Sequence, residues 1–480
     1  MSNDLNSKDI EKLNCIDYFF NPKTLAIVGG GKKNPLTVSN IILSNALAEG
    51  FTGSIYLVDI KPEADIIKGL KVYRSIFDVP EDIDIAMIIV PASVVPMVIE
   101  QCIEANVKGA IIITAGFGET LVYNEKNKEL EDKILRYIRK SKMRVVGPNC
   151  NGVFSQSCNL NATLGPRAIL PKSDFSLVTR GGTAGTVMNI EAARRNIGLN
   201  KYIGIGDEID LNLQDFIQYF DRDNNTKVIG AYSEGIKSAD SFRGILRNVK
   251  KPVVFYKAAE SVAGSRAALS HVGALAGQNT SKIFEGVLKQ LKIIKADNID
   301  ELMDFSIAAS IAPKPKGPRI GIWTPGGSMG VIMTDKLEKE GLKVPKLSSE
   351  QIEKLNNIIK VEYWSHNNPV DVTDSYNPQS IDKAIQILFE SFDGIVVLMG
   401  LLLEVDANYS EFSFIDSNLD IFKIFLKQQA KKFKKLIKKY EKPIFIVGDD
   451  TSEIAKSYKK NGVIILPTFK RVAKTYNMLY

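Results

Sequence analysis

The chain has 480 residues, 45% of them hydrophobic and 24% charged, with a net charge of +7. That length suggests about three domains of ordinary size, and that balance describes a globular chain able to bury several cores. No apolar run approaches the ~18 residues needed to span a bilayer, and the polar, mixed-charge start from Met1 to Asn14 predicts neither a signal peptide nor a transit peptide. The four cysteines (Cys15, Cys102, Cys150, Cys158) have no CxxC spacing and no disulfide-framework density, which points to a reducing cytoplasm.

In chain order, three stretches alternate short apolar strands with amphipathic helices, the pattern of parallel α/β layers. The first opens with a strand at Thr24–Val28, then Gly29-Gly30-Gly31, then a helix from about Val38 to Glu49. Further strands are predicted at Ser54–Asp59, Asp84–Val90, Gly109–Thr114 and Met143–Val146, with a helix at Val94–Ala105. This is a Rossmann-like pattern. The second stretch begins at Phe175–Thr179, with strands at Tyr202–Gly206, Lys227–Ala231 and Pro252–Tyr256 and helices at Thr183–Asn196, Leu213–Phe220 and Ser241–Val249. A stiff linker, Ala312-Pro313-Lys314-Pro315-Lys316-Gly317-Pro318, separates it from the third stretch. That stretch has strands at Arg319–Trp323, near Phe392–Leu398, at Pro443–Val447 and at Val463–Leu466.

The basic charge is concentrated in the third stretch. Between Ile421 and Tyr440 lie eight lysines and no acid, and without them the rest of the chain stands at −1. Ile424, Phe425, Phe433, Leu436 and Ile437 recur at helical spacing there, so the segment reads as an amphipathic helix with a solvated lysine face. No interleaving of aromatics with arginines supports nucleic-acid binding, and nothing predicts a membrane partner.

Ligands of open parallel sheets bind beyond the C-terminal strand ends, so the strand-to-helix turns are the candidate sites. Gly29-Gly30-Gly31 precedes a helix, and its amides with the helix start suit a pyrophosphate; a plain turn is the alternative. Asp59 ends the second strand where a ribose-binding acid would stand, and Lys61 two residues on suits a phosphate. Val90-Pro91, Thr114-Ala115-Gly116-Phe117-Gly118 and Gly147-Pro148-Asn149-Cys150-Asn151-Gly152 close the next strands and complete one crevice. In the second stretch, Thr179-Arg180-Gly181-Gly182-Thr183-Ala184-Gly185-Thr186 leaves the first amides of a helix free for an anion, or else packs helix closely on strand. Glu234 ends the Lys227–Ala231 strand region, as a solvated acid or as a carboxylate that orients an imidazole.

His271 is one of two histidines and sits in Ser270-His271-Val272-Gly273-Ala274-Leu275-Ala276-Gly277, where small residues leave open space around it. With His366 as the only other imidazole, a metal site is poorly supplied, and the sequence predicts none. A buried structural histidine and a nucleophile both remain open. A loop between Tyr256 and Asn279 is expected to bring His271 to the sheet edge of Glu234 and the Gly181–Gly182 turn, which is what a phosphoryl-carrying histidine requires.

These motifs, in this order, resemble those of the NDP-forming acyl-CoA synthetases, α-subunit type, of the succinyl-CoA synthetase-like superfamily. Ser270–Gly277 resembles the family's phosphohistidine loop, Gly147–Gly152 its Gly-Pro-Asn-Cys-x-Gly turn near CoA, Glu234-Gly235 its histidine-steadying glutamate, and Asn368-Pro369-Val370-Asp371 a signature of its third domain. The resemblance implies an α/β fold: a Rossmann-like CoA-binding domain over 1–150, a flavodoxin-like ligase domain with the phosphohistidine loop over 151–312, and a second flavodoxin-like ligase domain over 318–480. It implies the reaction acid + CoA + ATP ⇌ acyl-CoA + ADP + phosphate. His271 would be the phosphoryl carrier and Glu234 its partner. Gly181, Gly182, Thr183, Ala184 and Gly273 would hold phosphate, and Gly29, Gly30, Gly31, Lys61, Val90, Pro91, Thr114, Ala115, Gly116 and Asn149 would hold CoA. It further implies ATP with Mg²⁺ in a separate ATP-grasp β subunit, an α2β2 assembly and a small carboxylic acid substrate.

The chain departs from that family pattern in four turns. Gly29-Gly30-Gly31 stands for Gly-Ala-Ser, Thr179-Arg180-Gly181-Gly182 for Ser-Gln-Ser-Gly, Ile205-Gly206-Asp207 lacks the usual asparagine, and Thr324-Pro325-Gly326-Gly327 replaces Thr-Asn-x-Gly-Gly. The departures motivate an alternative, a CoA-binding regulatory or scaffold protein of the same fold that has altered catalysis. An NAD-dependent dehydrogenase, resting on Gly29–Gly31 and Asp59, leaves two further domains unexplained.

Overall fold

The computed structural model describes residues 7–118, 125–272, 281–373, 380–399 and 419–480. The chain forms two compact units, Met1–Ala193 with Ile197–Leu302, and Arg194–Asn196 with Met303–Tyr480.

The first unit holds two seven-stranded sheets. One is built from β1 (Thr24–Val28), β2 (Ser54–Val58), β3 (Ile66–Ile67), β4 (Leu70–Tyr73), β5 (Ile85–Ile88), β6 (Gly109–Ile112) and β7 (Arg144–Val146), in the order β3-β4-β2-β1-β5-β6-β7. Chain direction across the sheet reverses at β1, which pairs in parallel with β2 on one side and β5 on the other. That reversal opens the crevice in which doubly wound folds bind ligands. The strands are apolar on both faces: Leu25 and Ile27 join one buried cluster, Ala26 and Val28 another, as the period of two requires.

The second sheet contains β8 (Gly152–Ser155), β9 (Leu160–Thr163), β10 (Phe175–Thr179), β11 (Lys201–Gly204), β12 (Val228–Ser233), β13 (Val253–Lys257) and β14 (Ile294–Ala296). Its order is β14-β13-β12-β10-β11-β8-β9. The β8–β9 hairpin is antiparallel within itself and to β11, which departs from the wholly parallel layer expected. Its sequence hides it because polar side chains are buried there and satisfy one another: Thr163 Oγ1 donates to Asn161 Oδ1 at 2.8 Å, and Ser155 and Ser157 hydroxyls meet at 2.8 Å. The helix Ser7–Phe20 was also unforeseen. It docks through Phe20, whose ring stacks on Tyr219 with centroids 5.2 Å apart, while Tyr219 donates to Asp17 at 2.7 Å.

The second unit is a five-stranded parallel sheet of β15 (Ile320–Thr324), β16 (Val370–Asp371), β17 (Gly394–Val397), β18 (Ile444–Val447) and β19 (Ile464–Leu466), ordered β16-β15-β17-β18-β19. The lysine-rich segment lies in the helix Leu419–Tyr440. Leu426, Ala430, Phe433 and Ile437 form its buried stripe, and the lysines from Lys427 to Lys439 are exposed. Ile424, assigned to that stripe from its spacing, is instead 56% exposed. Among the described residues no helix is long and apolar enough to cross a membrane.

Candidate active site

Within the first unit the strand ends of both sheets enclose a cavity of about 720 Å³. That is within the range of ordinary small-molecule sites. Val90, Thr114, Ala115 and Asn149 line it from the first sheet, and Gly181, Gly182, Thr183 and Glu234 from the second. Two turns hold the sheets at this edge. Gly147, at φ 97°, and Asn149, at φ 56°, adopt left-handed backbone, and Asp207 N donates to Pro148 O at 2.9 Å. A Cβ on Gly206 would come within 2.0 Å of Pro148 O, so only glycine permits this approach.

The turn after β10 leads into the helix Gly182–Arg194. Its first amides have no partner within the helix, and Gly181, Gly182 and Thr183 lie on the cavity wall. Gly185 serves packing instead: a Cβ there would lie 2.0 Å from the Tyr202 hydroxyl and 2.6 Å from Thr179 Oγ1. The close-packing reading of this glycine run therefore holds at Gly185, while Gly181 and Gly182 line the cavity. Burial pushes the Tyr202 phenol up to about 12, with Thr179 and Asn151 bonding it in opposition.

Glu234 is half-buried at the end of β12 and accepts from the Tyr232 hydroxyl at 3.3 Å. Burial, reinforced by the Glu234 charge, raises the Tyr232 phenol, which keeps that donor protonated. His271 lies in the last turn of the helix Val262–Val272, where a loop was expected; its side chain lies outside the described residues, as does Gly273. The Ala-rich run Ala263–Ala268 favours helix over loop, and Ala268 is buried against the unit. β12 and β13 are parallel neighbours, so Glu234 and the connection carrying His271 leave the sheet at the same edge.

The glycine turn after β1 is arranged differently. Gly29 and Gly30 amides donate to Val58 O at 2.7 and 3.3 Å, and the Gly31 amide to Asp59 Oδ2 at 3.2 Å. Asp59 also accepts from Lys61 N at 3.0 Å, so its carboxylate braces the turn. A Cβ on Gly29 would meet Ile89 O at 2.3 Å, and on Gly31 Pro62 Cβ at 2.5 Å. Gly29, Gly30, Gly31, Lys61, Pro91, Gly116 and Ala184 are not on the cavity wall.

Sequence reasoning missed the Leu164-Gly165 pair on the wall, and named Asn151, Arg180, Thr186 and Asp207 only as members of their turns, without a role of their own. Asp207 had a signal, its place after β11; Leu164 and Gly165 follow the hairpin that polar burial concealed. Cys150 also lines the cavity, but its thiol donates to Ile112 O at 3.1 Å and burial pushes it up to about 12, so it is no nucleophile near neutral pH. His366 is exposed, stacked on Trp364 with centroids 4.3 Å apart. Among the described residues no cluster of three or more His, Cys, Asp or Glu side chains is arranged for a metal ion.

Comparison with known proteins agrees with this architecture. A CoA-binding domain family matches residues 23–156, and a succinyl-CoA ligase-like flavodoxin domain family matches residues 172–309. Together with the strand-end cavity they define the class, an α/β acid–thiol ligase subunit of the succinyl-CoA synthetase type. The chain is 32% identical to the α subunit of a Pyrococcus furiosus ADP-forming acetate–CoA ligase (I), over 97% of each chain. It is 35% identical to the α subunit of ADP-forming acetate–CoA ligase II of that organism, over 78% of this chain and 80% of that one. A solved Candidatus Korarchaeum cryptofilum acetyl-coenzyme A synthetase, in complex with phosphate and ADP, superposes with a TM-score of 0.80 at 29% identity, covering 97% of this chain and 96% of the other. The chain belongs to the family of ADP-forming acyl-CoA synthetase α subunits.

Proposed function

We infer that this chain, with an ATP-grasp β subunit, converts a small carboxylic acid, CoA and ATP into acyl-CoA, ADP and phosphate through a phosphohistidine at His271. The observation that carries the reading is the shared cavity, where CoA-domain strand ends face a helix N-terminus and Glu234. The acyl substrate is of the acetate class, as in the named activities of the Pyrococcus relatives. A Methanocaldococcus jannaschii acetate–CoA ligase, 36% identical over 76% of this chain, has only 50% of its length matched, so it carries further sequence outside the matched part.

A ring nitrogen of His271 attacks the γ-phosphorus of ATP and ADP leaves. A carboxylate oxygen of the acid attacks that phosphorus, forming an acyl phosphate and freeing the imidazole. The CoA thiolate attacks the acyl carbon and phosphate leaves. Glu234 steadies the imidazole's second nitrogen, and the amides at Gly181, Gly182, Thr183 and Ala184 with Gly273 hold the phosphoryl oxygens. Val90, Thr114, Ala115 and Asn149, which line the cavity, receive CoA. Mg²⁺ accompanies ATP in the β subunit, where it would neutralise phosphate charge. We assign domains at 1–150, 151–312 and 318–480, an α2β2 assembly, and the cytoplasm, consistent with four free cysteines.

The test is reconstitution with the partner subunit and γ-labelled ATP. Acid-labile, base-stable phosphate should appear on this chain, and His271→Asn should abolish both labelling and turnover. Normal labelling of the Asn variant would overturn the assignment. CoA binding without any phosphohistidine would favour the regulatory alternative that the altered turns raise.

A further inference from the structure

Arg180 replaces the glutamine of the family pattern at the turn after β10, and its surroundings are unusual for an arginine. It is 6% exposed and forms part of the cavity wall. Its Nε stands 3.3 Å from Oε1 of Glu208, itself 2% exposed, in an ion pair that is not aligned as a hydrogen bond. Glu208 is fixed from its other side, with Oε2 accepting from Leu213 N at 3.2 Å. Arg180 Nη1 has no hydrogen-bond partner. A guanidinium carries five donors in a planar fork, and a buried pair of this kind is seldom kept for net stability.

The charges around the cavity give the unpartnered nitrogen a purpose. Among the described lining residues Arg180 is the one cation, set against the carboxylates of Asp207 and Glu234. An anion entering this space meets two like charges, and only Arg180 and the amides of the Gly182–Arg194 helix start oppose them. Glu208 stands beside the guanidinium as its counter-charge.

We propose that Arg180 is an oxyanion-binding residue of this cavity, which takes a phosphate or carboxylate oxygen on its unpartnered Nη1 edge while Glu208 holds the other edge. The proposal deepens the ligase reading, because it names a side chain of this sequence that selects the anionic reactant at that site. It replaces the neutral donors of a Ser-Gln-Ser-Gly turn with a fixed charge. No covalent step is assigned to it.

The experiment is binding of inorganic phosphate and, separately, of acetate to the full chain by calorimetry, for wild type, Arg180→Gln and the double variant Arg180→Gln/Glu208→Gln. The double variant removes both charges and so leaves no buried carboxylate unpaired, and circular dichroism with thermal melting reports whether each protein folds. Loss of a charge-assisted contact predicts affinity weakened by at least about tenfold. A loss confined to phosphate assigns the phosphoryl oxygen as the ligand, and a loss confined to acetate assigns the acyl carboxylate; either supports the proposal. A folded double variant that binds both anions as tightly as wild type overturns it. Ligase turnover of the wild type with its partner is measured alongside. Absent turnover with an intact Arg180 effect removes the function reading alone, and normal turnover with no Arg180 effect removes this proposal alone.

Discussion

The two glycine-rich turns, after β1 and after β10, look alike in sequence and do different work in the fold. The first spends its amides inward, on Val58 O and the Asp59 carboxylate, and its glycines are required because backbone and side chains press within 2.3–2.9 Å of any added Cβ. The second lies on a cavity wall and leaves room at Gly182, whose added Cβ would meet only Asn151 Cβ at 3.6 Å. The contrast teaches that a glycine run after a strand marks a close approach, and that the thing approached can be the protein itself.

Substitutions at the two turns test that contrast. Gly29→Ala combines a 2.3 Å contact with Ile89 O and a φ of +94°, so a loss of about 3 kcal/mol is expected in urea unfolding. A wild-type midpoint for that variant would break the comparison at its first half. Gly182→Ala sits at the first position of a helix, with space for the methyl group. It should melt no lower than wild type yet reduce kcat/KM of the reconstituted ligase about tenfold, by crowding the helix start. Unchanged kinetics would mean the second turn is packing as well.

Asp59→Asn removes a charge from the acceptor of the Gly31 and Lys61 amides, for an expected stability loss of about 1 kcal/mol by denaturant titration. No loss at all would show that the first turn holds without its carboxylate brace. The smallest expected effect is chemical. Because burial raises the Cys150 thiol to about 12, it stays protonated through pH 8 and becomes thiolate only as pH approaches that value. Iodoacetamide at pH 8 should therefore modify the half-exposed Cys15 well before Cys150, read by peptide mass spectrometry. Rapid Cys150 labelling would mean that the cavity opens more widely than its walls suggest.

Much of this was readable from the chain. Apolar runs such as Leu25–Val28 and Leu177–Val178 declared the parallel sheets, since a strand buried on both faces is apolar at every position. The strand-end rule then pointed to Val90, Thr114, Asn149, Gly181 and Glu234, all of which line one cavity. What escaped was polar burial. The β8–β9 hairpin carries Asn161, Thr163 and Ser155 inside, and no pattern of apolar residues announces a strand whose polar groups satisfy each other. Arg180 escaped for the same reason, because an arginine in a turn is ordinarily a solvated one.

The sequence by itself determined the family, the alternation of buried strands with helices in three stretches, and several of the turns that line the cavity, because these follow from local periodicity and from residues with unusual backbone freedom. Only the tertiary structure decided which turn faces a cavity and which faces its own strands. It also decided that Gly185 packs where Gly182 lines, that Cys150 is inert, and that Arg180 is buried beside Glu208 with an edge unpaired. Those outcomes depend on what lies within 4 Å across the fold. Residues distant along the chain supply it: Ile89 for Gly29, Tyr202 for Gly185, Glu208 for Arg180.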